Sequence, residues 1–293
     1  MPWFILATIS ALLSAGAAVL QKKSLIQTTA LPFAFVLSAF IMVLSAVFLP
    51  GVDVLTVPPD VLVLLVGKSQ IGGAAFLCVM MSLERGQIST VLPLMGLTPA
   101  VTAVLALFMT GERMSGTEWI GLGVMMAGLY LLEWTPERGE TWAGRVRTIL
   151  TERRLIILAL LLFALSSVAD KLLVGAHKTD PRVVLVYQHV VFCLLFGGIL
   201  LVRKLPVGEV VKQARNQLPL FLVIAVITIA YRYAQLEATR LAPVALVLAV
   251  KRTSIFYASL LGGKIFADDR LGVRLAGAGL IIAAGFIILR NVG

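Results

Sequence analysis

Five basic residues stand inside long apolar stretches of this chain: Lys68, Lys171, Arg232, Lys251 and Arg252. Lys251 and Arg252 are adjacent and fall near the centre of the stretch 241–262, too deep to reach water easily. A cation at that depth in a bilayer costs roughly 2.5 to 3.5 kcal/mol on insertion scales, and such residues face a cavity or a partner. A guanidinium forks two oxygens of a carboxylate or phosphate, and an ammonium adds a point charge. Tyr231 and Tyr233 flank Arg232 and supply hydroxyl donors. Lys251, Arg252, Arg232, Tyr231 and Lys68 are therefore candidates for binding an anionic solute. Snorkelling remains open for Lys68 and Arg232, and Arg232 also has Glu237 within helical reach. Lys171, beside Asp170 near a helix end, reads as an interfacial pair. The acids Glu84, Glu237 and Asp170 fall near the ends of their stretches, so no carboxylate is expected as deep as Lys251. Gln188 and His189 share one stretch, and His189 is a candidate proton relay as well as an ordinary helix-to-helix hydrogen bond.

Other chemistries find no support in the residues. Gly67-Lys68-Ser69 resembles the end of a phosphate-binding loop, but Leu62 stands where the first glycine belongs and the segment is apolar. The two histidines, His177 and His189, have no metal-ligand spacing, and no Gly-x-Ser-x-Gly elbow occurs. No enzyme, metal or other cofactor is expected. Cys78 and Cys193 lie in apolar runs and read as packing residues.

The elements that hold these residues are membrane helices. Of the 293 residues, 59% are hydrophobic and 14% charged, against about 45 to 50% apolar in soluble chains. With a mean hydropathy of +0.99, too few polar side chains exist to cover a globule in water. The net charge of +10 does not point to nucleic acid, because the basic residues lie between apolar runs rather than in one patch. Crossing a bilayer takes about 20 apolar residues, and ten such runs are expected: 3–21, 31–50, 61–83, 88–110, 117–134, 154–175, 182–202, 218–236, 241–262 and 271–290. Ala15-Gly16-Ala17 resembles a leader cleavage site, yet no basic residue precedes it, so the first run reads as a helix. One connection, 135–153, is long and charged and falls between the halves 1–134 and 154–293.

The halves match each other. Gln21-Lys22 falls on Asp170-Lys171, Pro32 on Pro181, Leu83-Glu84 on Leu236-Glu237, and Gly121, Gly123, Ala127 and Gly128 on Gly277, Gly279, Ala283 and Ala284. Five helices per copy is an odd number, so the second copy would enter the membrane inverted. The stretch Leu83–Leu131, with Thr98-Pro99, Gly111-Glu112-Arg113, Gly121 and Gly128, resembles the EamA-type repeat of the drug/metabolite transporter superfamily, and the second half resembles it again. The resemblance implies ten helices, as two inverted five-helix repeats, around a central cavity that carries small organic solutes by alternating access. It also implies that the third, fourth, eighth and ninth stretches line that cavity. Lys251-Arg252 stands where the first copy has Thr98-Pro99, which adds Thr98 to the candidate site, and Asp268-Asp269 stands where it has Glu112-Arg113. A Lys-Arg pair on the ninth stretch also resembles the anion-binding pair of the plastid phosphate translocators.

The expected function is secondary transport of a phosphate- or carboxylate-bearing metabolite. The alternatives are an exporter of amino acids or drugs, with or without proton coupling, and a channel or scaffold. No ATP-binding motif is present, so transport would run on exchange or a proton gradient, and the lack of a deep carboxylate favours exchange. Connections after odd-numbered stretches hold fifteen of the 25 basic residues and those after even-numbered stretches five. That bias puts the odd connections in the cytoplasm, with both termini outside, whereas the family is described with cytoplasmic termini. The plasma (inner) membrane is the expected location. Gly123 with Ala127, and Gly279 with Ala283, permit close helix approach within the chain or in a homodimer. Pro93 and Pro99 interrupt the fourth stretch and would bend it.

Overall fold

Prolines open most of the helices, where the missing amide is not needed and the fixed φ suits the first turn. The computed structural model describes residues 2–48, 50–52, 56–85, 95–133 and 154–254, with residues 257, 276, 277, 279–281, 283, 284 and 287. Helix α1 spans Pro2–Leu25, α2 Ala30–Ser45, α3 Pro59–Arg85, α4 Thr98–Met109 and α5 Gly116–Glu133. After the linker come α6 Arg154–Lys171, α7 Pro181–Val202, α8 Val207–Asn216, α9 Leu218–Leu241 and α10 Val244–Arg252. A π-helical turn, Leu172–Ala176, continues α6. Asp180 caps α7 by accepting the Arg182 amide at 2.8 Å, and it pairs with the Arg182 guanidinium. The Arg182 side chain hydrogen-bonded to Asp180 holds its carboxyl below the usual carboxylate range.

Every described element is helical, and five are long and apolar enough to cross a membrane: Pro2–Leu25, Pro59–Glu84, Arg154–Ala176, Pro181–Val202 and Leu218–Leu241. Ala30–Ser45 and Thr98–Met109 are shorter apolar helices. The expected stretches 3–21, 61–83, 154–175, 182–202 and 218–236 thus correspond to α1, α3, α6, α7 and α9. The expected stretch 271–290 is helical at the scattered residues described there, while the linker 135–153, Pro93 and Asp268-Asp269 lie outside the described residues. One helix has no counterpart among the expected spans. In the connection 203–217, α8 sets Val210, which is buried, among exposed Glu209, Lys212 and Arg215's neighbours, an amphipathic helix too short to cross.

The helices pack in reciprocal pairs. Helix α1 runs along α9 and α3 along α6; α4 meets α6 and α10 meets α1; α3 meets α7 and α9 meets α2. The pairs α2 with α7 and α4 with α10 complete the set. The main core is aromatic, with Phe33 and Phe221 centroids 5.5 Å apart and Phe76 and Phe192 6.2 Å apart. The outer surface carries exposed Ile5, Val63, Leu194 and Val226, as a lipid-facing belt requires.

Close helix approach is made by glycines other than the expected ones. A Cβ at Gly128 would stand 2.7 Å from the Gly277 carbonyl oxygen, whereas one at Gly123 or Gly279 would meet nothing within 4 Å among the described residues. Gly128→Val is therefore expected to cost about 1 to 3 kcal/mol by forcing backbones apart, with Gly123→Val nearly neutral. Thermal unfolding of the two variants in detergent checks this, and equal losses would contradict it.

Candidate functional site

The positions of the out-of-place charges are set by helix phase. Lys68 lies nine residues into α3, Asp170 at the end of α6's regular turns, Gln188 on α7 and Arg232 on α9. All four side chains turn inward. Lys68 Nζ donates to Asp170 Oδ1 at 2.6 Å and to Gln188 Oε1 at 2.7 Å. Arg232 Nη2 donates to Asp170 Oδ2 at 3.1 Å and to the same Gln188 oxygen at 2.7 Å. Each carboxylate oxygen thus takes one cation, and Gln188 bridges the two. Ser166 ties the Lys68 carbonyl to α6 through a 3.2 Å hydrogen bond. Lys68 and Asp170 are both buried, at 2% exposure each, where a paired and fully bonded arrangement is what keeps ionised groups tolerable.

This network corrects three expectations. Asp170, expected only as an acid near a helix end, is a buried carboxylate shared by two of the cations. Arg232 does not turn to Glu237, which pairs instead with Arg240 at 3.0 Å, one turn away on the same helix. Lys171 does not pair with Asp170 but with Glu112, at 3.2 Å.

Beside the network lies a cavity of about 180 Å³. Asp170, Gln188, His189, Tyr231, Arg232, Gln235, Lys251 and Arg252 form its polar wall, and Leu37, Phe76, Phe163 and Phe192 are among its apolar lining. Part of the remaining lining, including Gln21, Val79 and Met80, falls toward the helix ends nearest Lys22 and Arg85. Lys251 Nζ donates to Gln235 Oε1 and lies 4.8 Å from the Tyr231 ring centroid, a cation–π contact. It forms no ion pair among the described residues. Arg252 Nη2 donates to Thr98 Oγ1 at 3.0 Å, and Thr98 in turn donates to the Met95 carbonyl at 2.6 Å. That bond joins the two segments that the sequence halves place in register, one residue off the alignment that sets Thr98 against Lys251. His189 Nδ1 lies 2.8 Å from the Leu185 carbonyl, so it carries the proton and donates within its own helix.

Of the sequence-predicted site residues, Arg232, Tyr231, Lys251, Arg252 and His189 line the cavity, while Lys68 and Thr98 stand behind the wall and hold Asp170 and Arg252. Asp170, Gln188 and Gln235 were not foreseen as partners of these cations. The neighbouring lysine had masked the signal at Asp170, since the dipeptide reads as a local pair. Four cations (Lys68, Arg232, Lys251, Arg252) and one carboxylate (Asp170) surround the cavity among the described residues. No grouping of His, Cys, Asp or Glu among the described residues has the makings of a metal site.

A protein crystal structure shares the fold over nearly its whole length: TM-score 0.71, 98% of this chain and 96% of that one covered, at 18% identity. No curated protein matches the chain. The described helices are those of an integral membrane protein, and residues 1–134 match the model of the EamA-like transporter family. On that match the first half of the chain is similar to the EamA-like transporter family, which belongs to the drug/metabolite transporter superfamily.

Proposed function

We propose that this protein is a secondary transporter that binds a small organic anion in the central cavity and moves it by alternating access between two inverted five-helix repeats. The observation that carries the reading is Lys251, which faces the cavity with a neutral amide and an aromatic ring as its partners, while the Asp170 carboxylate is held between Lys68 and Arg232. A half-buried cation without an ion-pair partner among the described residues gains most from an anion that arrives with the substrate. Arg252 beside it supplies the forked donor, and Tyr231 and Arg232 border the same space. The duplicated architecture is supported by the reciprocal helix pairs, in which α1 with α9 mirrors α6 with α3, α4 with α6 mirrors α10 with α1, and α3 with α7 mirrors α9 with α2.

The apolar wall of Leu37, Phe76, Phe163 and Phe192 favours a carboxylate with a compact hydrocarbon body over a phosphorylated sugar. Coupling by exchange fits Asp170, whose two oxygens are fixed by separate cations and so act as a structural charge rather than a mobile proton carrier.

A thermal-shift screen of the purified protein against short organic acids, phosphorylated sugars, amino acids and cationic dyes tests the reading. Organic acids are expected to stabilise, by about 2.7 kcal/mol at a hundredfold excess over Kd. Stabilisation by cationic dyes alone would overturn it.

A further inference from the structure

At the end of the bundle opposite Lys22, a second polar cluster joins the two halves of the chain. Helix α4 stops at Met109, and Gly111, with φ +66, takes the left-handed conformation that turns the chain back over the helix end. That turn sets Glu112 against α6 and α10. Its Oε1 lies 3.2 Å from Lys171 Nζ, and its Oε2 accepts the Val244 amide at 3.1 Å. Lys171 completes its coordination with the Thr239 carbonyl at 3.0 Å and the Ala242 carbonyl at 2.8 Å. One lysine thus binds the side chain of the first half and the frayed end of α9, and one glutamate holds the start of α10.

Directly inward lies an apolar layer of buried Ala106, Val168, Val244 and Leu248. Val168 is one turn before Lys171 on α6, and Val244 is the residue whose amide Glu112 holds. Leu248, one turn further along α10, also lines the cavity. The order from the bundle end is therefore ion pair, apolar layer, cavity. The π-helical turn starts at Leu172, the residue after Lys171, so the regular helix ends where the ion pair is made.

We propose that Lys171 and Glu112 form the latch of a gate, and that Ala106, Val168, Val244 and Leu248 are the plug it holds shut, so that the structure is the state closed on the Glu112 side. The partly exposed ion pair, at 19% and 13% side-chain exposure, can exchange its partners for water when the halves separate. The apolar layer behind it excludes water while the pair is made. The proposal rests on the carrier reading, since a gate has meaning only for a cavity that opens to both sides in turn.

The test needs no substrate, so its failure is separable from failure of the substrate assignment. In a Cys78→Ala, Cys193→Ala background, Leu248→Cys reports access to the plug from either side of sealed vesicles treated with a membrane-impermeant maleimide. Ser115→Cys, at an exposed position next to Glu112, identifies the side on which the latch lies. With the latch intact, Leu248→Cys is expected to react slowly from that side. Glu112→Gln leaves an oxygen for the Val244 amide and removes only the charge, and it is expected to raise the rate at least tenfold. Lys171→Met, which also frees two carbonyls, is expected to raise it further. If Lys171→Met does not fold, Glu112→Gln decides alone. An unchanged rate in folded Glu112→Gln protein, or fast labelling before the latch is touched, would overturn the proposal.

Discussion

Asp170→Asn is expected to destabilise the protein by about 3 to 5 kcal/mol, the cost of leaving a buried charge without its partner. The carboxylate is shared by Lys68 Nζ at 2.6 Å and Arg232 Nη2 at 3.1 Å, with Gln188 as the remaining acceptor for both. Asparagine keeps one acceptor oxygen but no charge, so two cations face one another with only amide oxygens between them. The distinguishing result is non-additivity: Asp170→Asn with Lys68→Met should lose less than Asp170→Asn alone, because the second change removes the charge that the first one stranded. Equilibrium unfolding of the single and double variants in mixed micelles measures the difference. A loss below about 1 kcal/mol for Asp170→Asn, in the range of an exposed pair, would contradict the buried network.

How far these positions could be read from sequence depends on what fixes each one. Apolar length located α3, α7 and α9 to within a few residues, since bilayer thickness acts on the chain locally. The depth of Lys251 and Arg252 followed from the same count. Asp170 and Lys171 show where such counting ends. Adjacent residues on a helix point about 100° apart, so one faces Lys68 and the other Glu112, and nothing in the dipeptide says which. Arg232 illustrates a related limit: Glu237 is the nearest acid in sequence, yet at i,i+5 it lies off the Arg232 face, and Arg240 at i,i+3 takes it. Helix α8 escaped notice because it is a short amphipathic helix that buries Val210, while a search for membrane spans rewards only length. The two halves could be aligned from landmarks, but that Arg252 rather than Lys251, the residue in register with Thr98, would bond to Thr98 needed the packing of α4 against α10.

Lys251→Gln is expected to act in the opposite sense to Asp170→Asn. Lys251 has Gln235 and the face of Tyr231 as its partners, neither of which carries a full negative charge, so the empty protein bears the cost of its partial burial. Glutamine at 251 keeps a donor for Gln235 while removing that charge. The thermal midpoint of the ligand-free variant should therefore equal or exceed that of the parent protein. Anion binding should weaken by about 1.5 to 3 kcal/mol, the range for a hydrogen bond to a charged group, which corresponds to a tenfold to more than hundredfold loss in affinity. Arg252→Gln is the companion variant, with a similar loss of affinity but no gain in stability, because its hydrogen bond to Thr98 helps to hold α10 against α4. Isothermal titration with the best organic acid from the screen, set beside thermal unfolding of each empty variant, separates the two effects. A Lys251→Gln protein that unfolds earlier than its parent and binds the acid equally well would show that Lys251 is a structural residue, and the anion site would then have to lie elsewhere in the cavity.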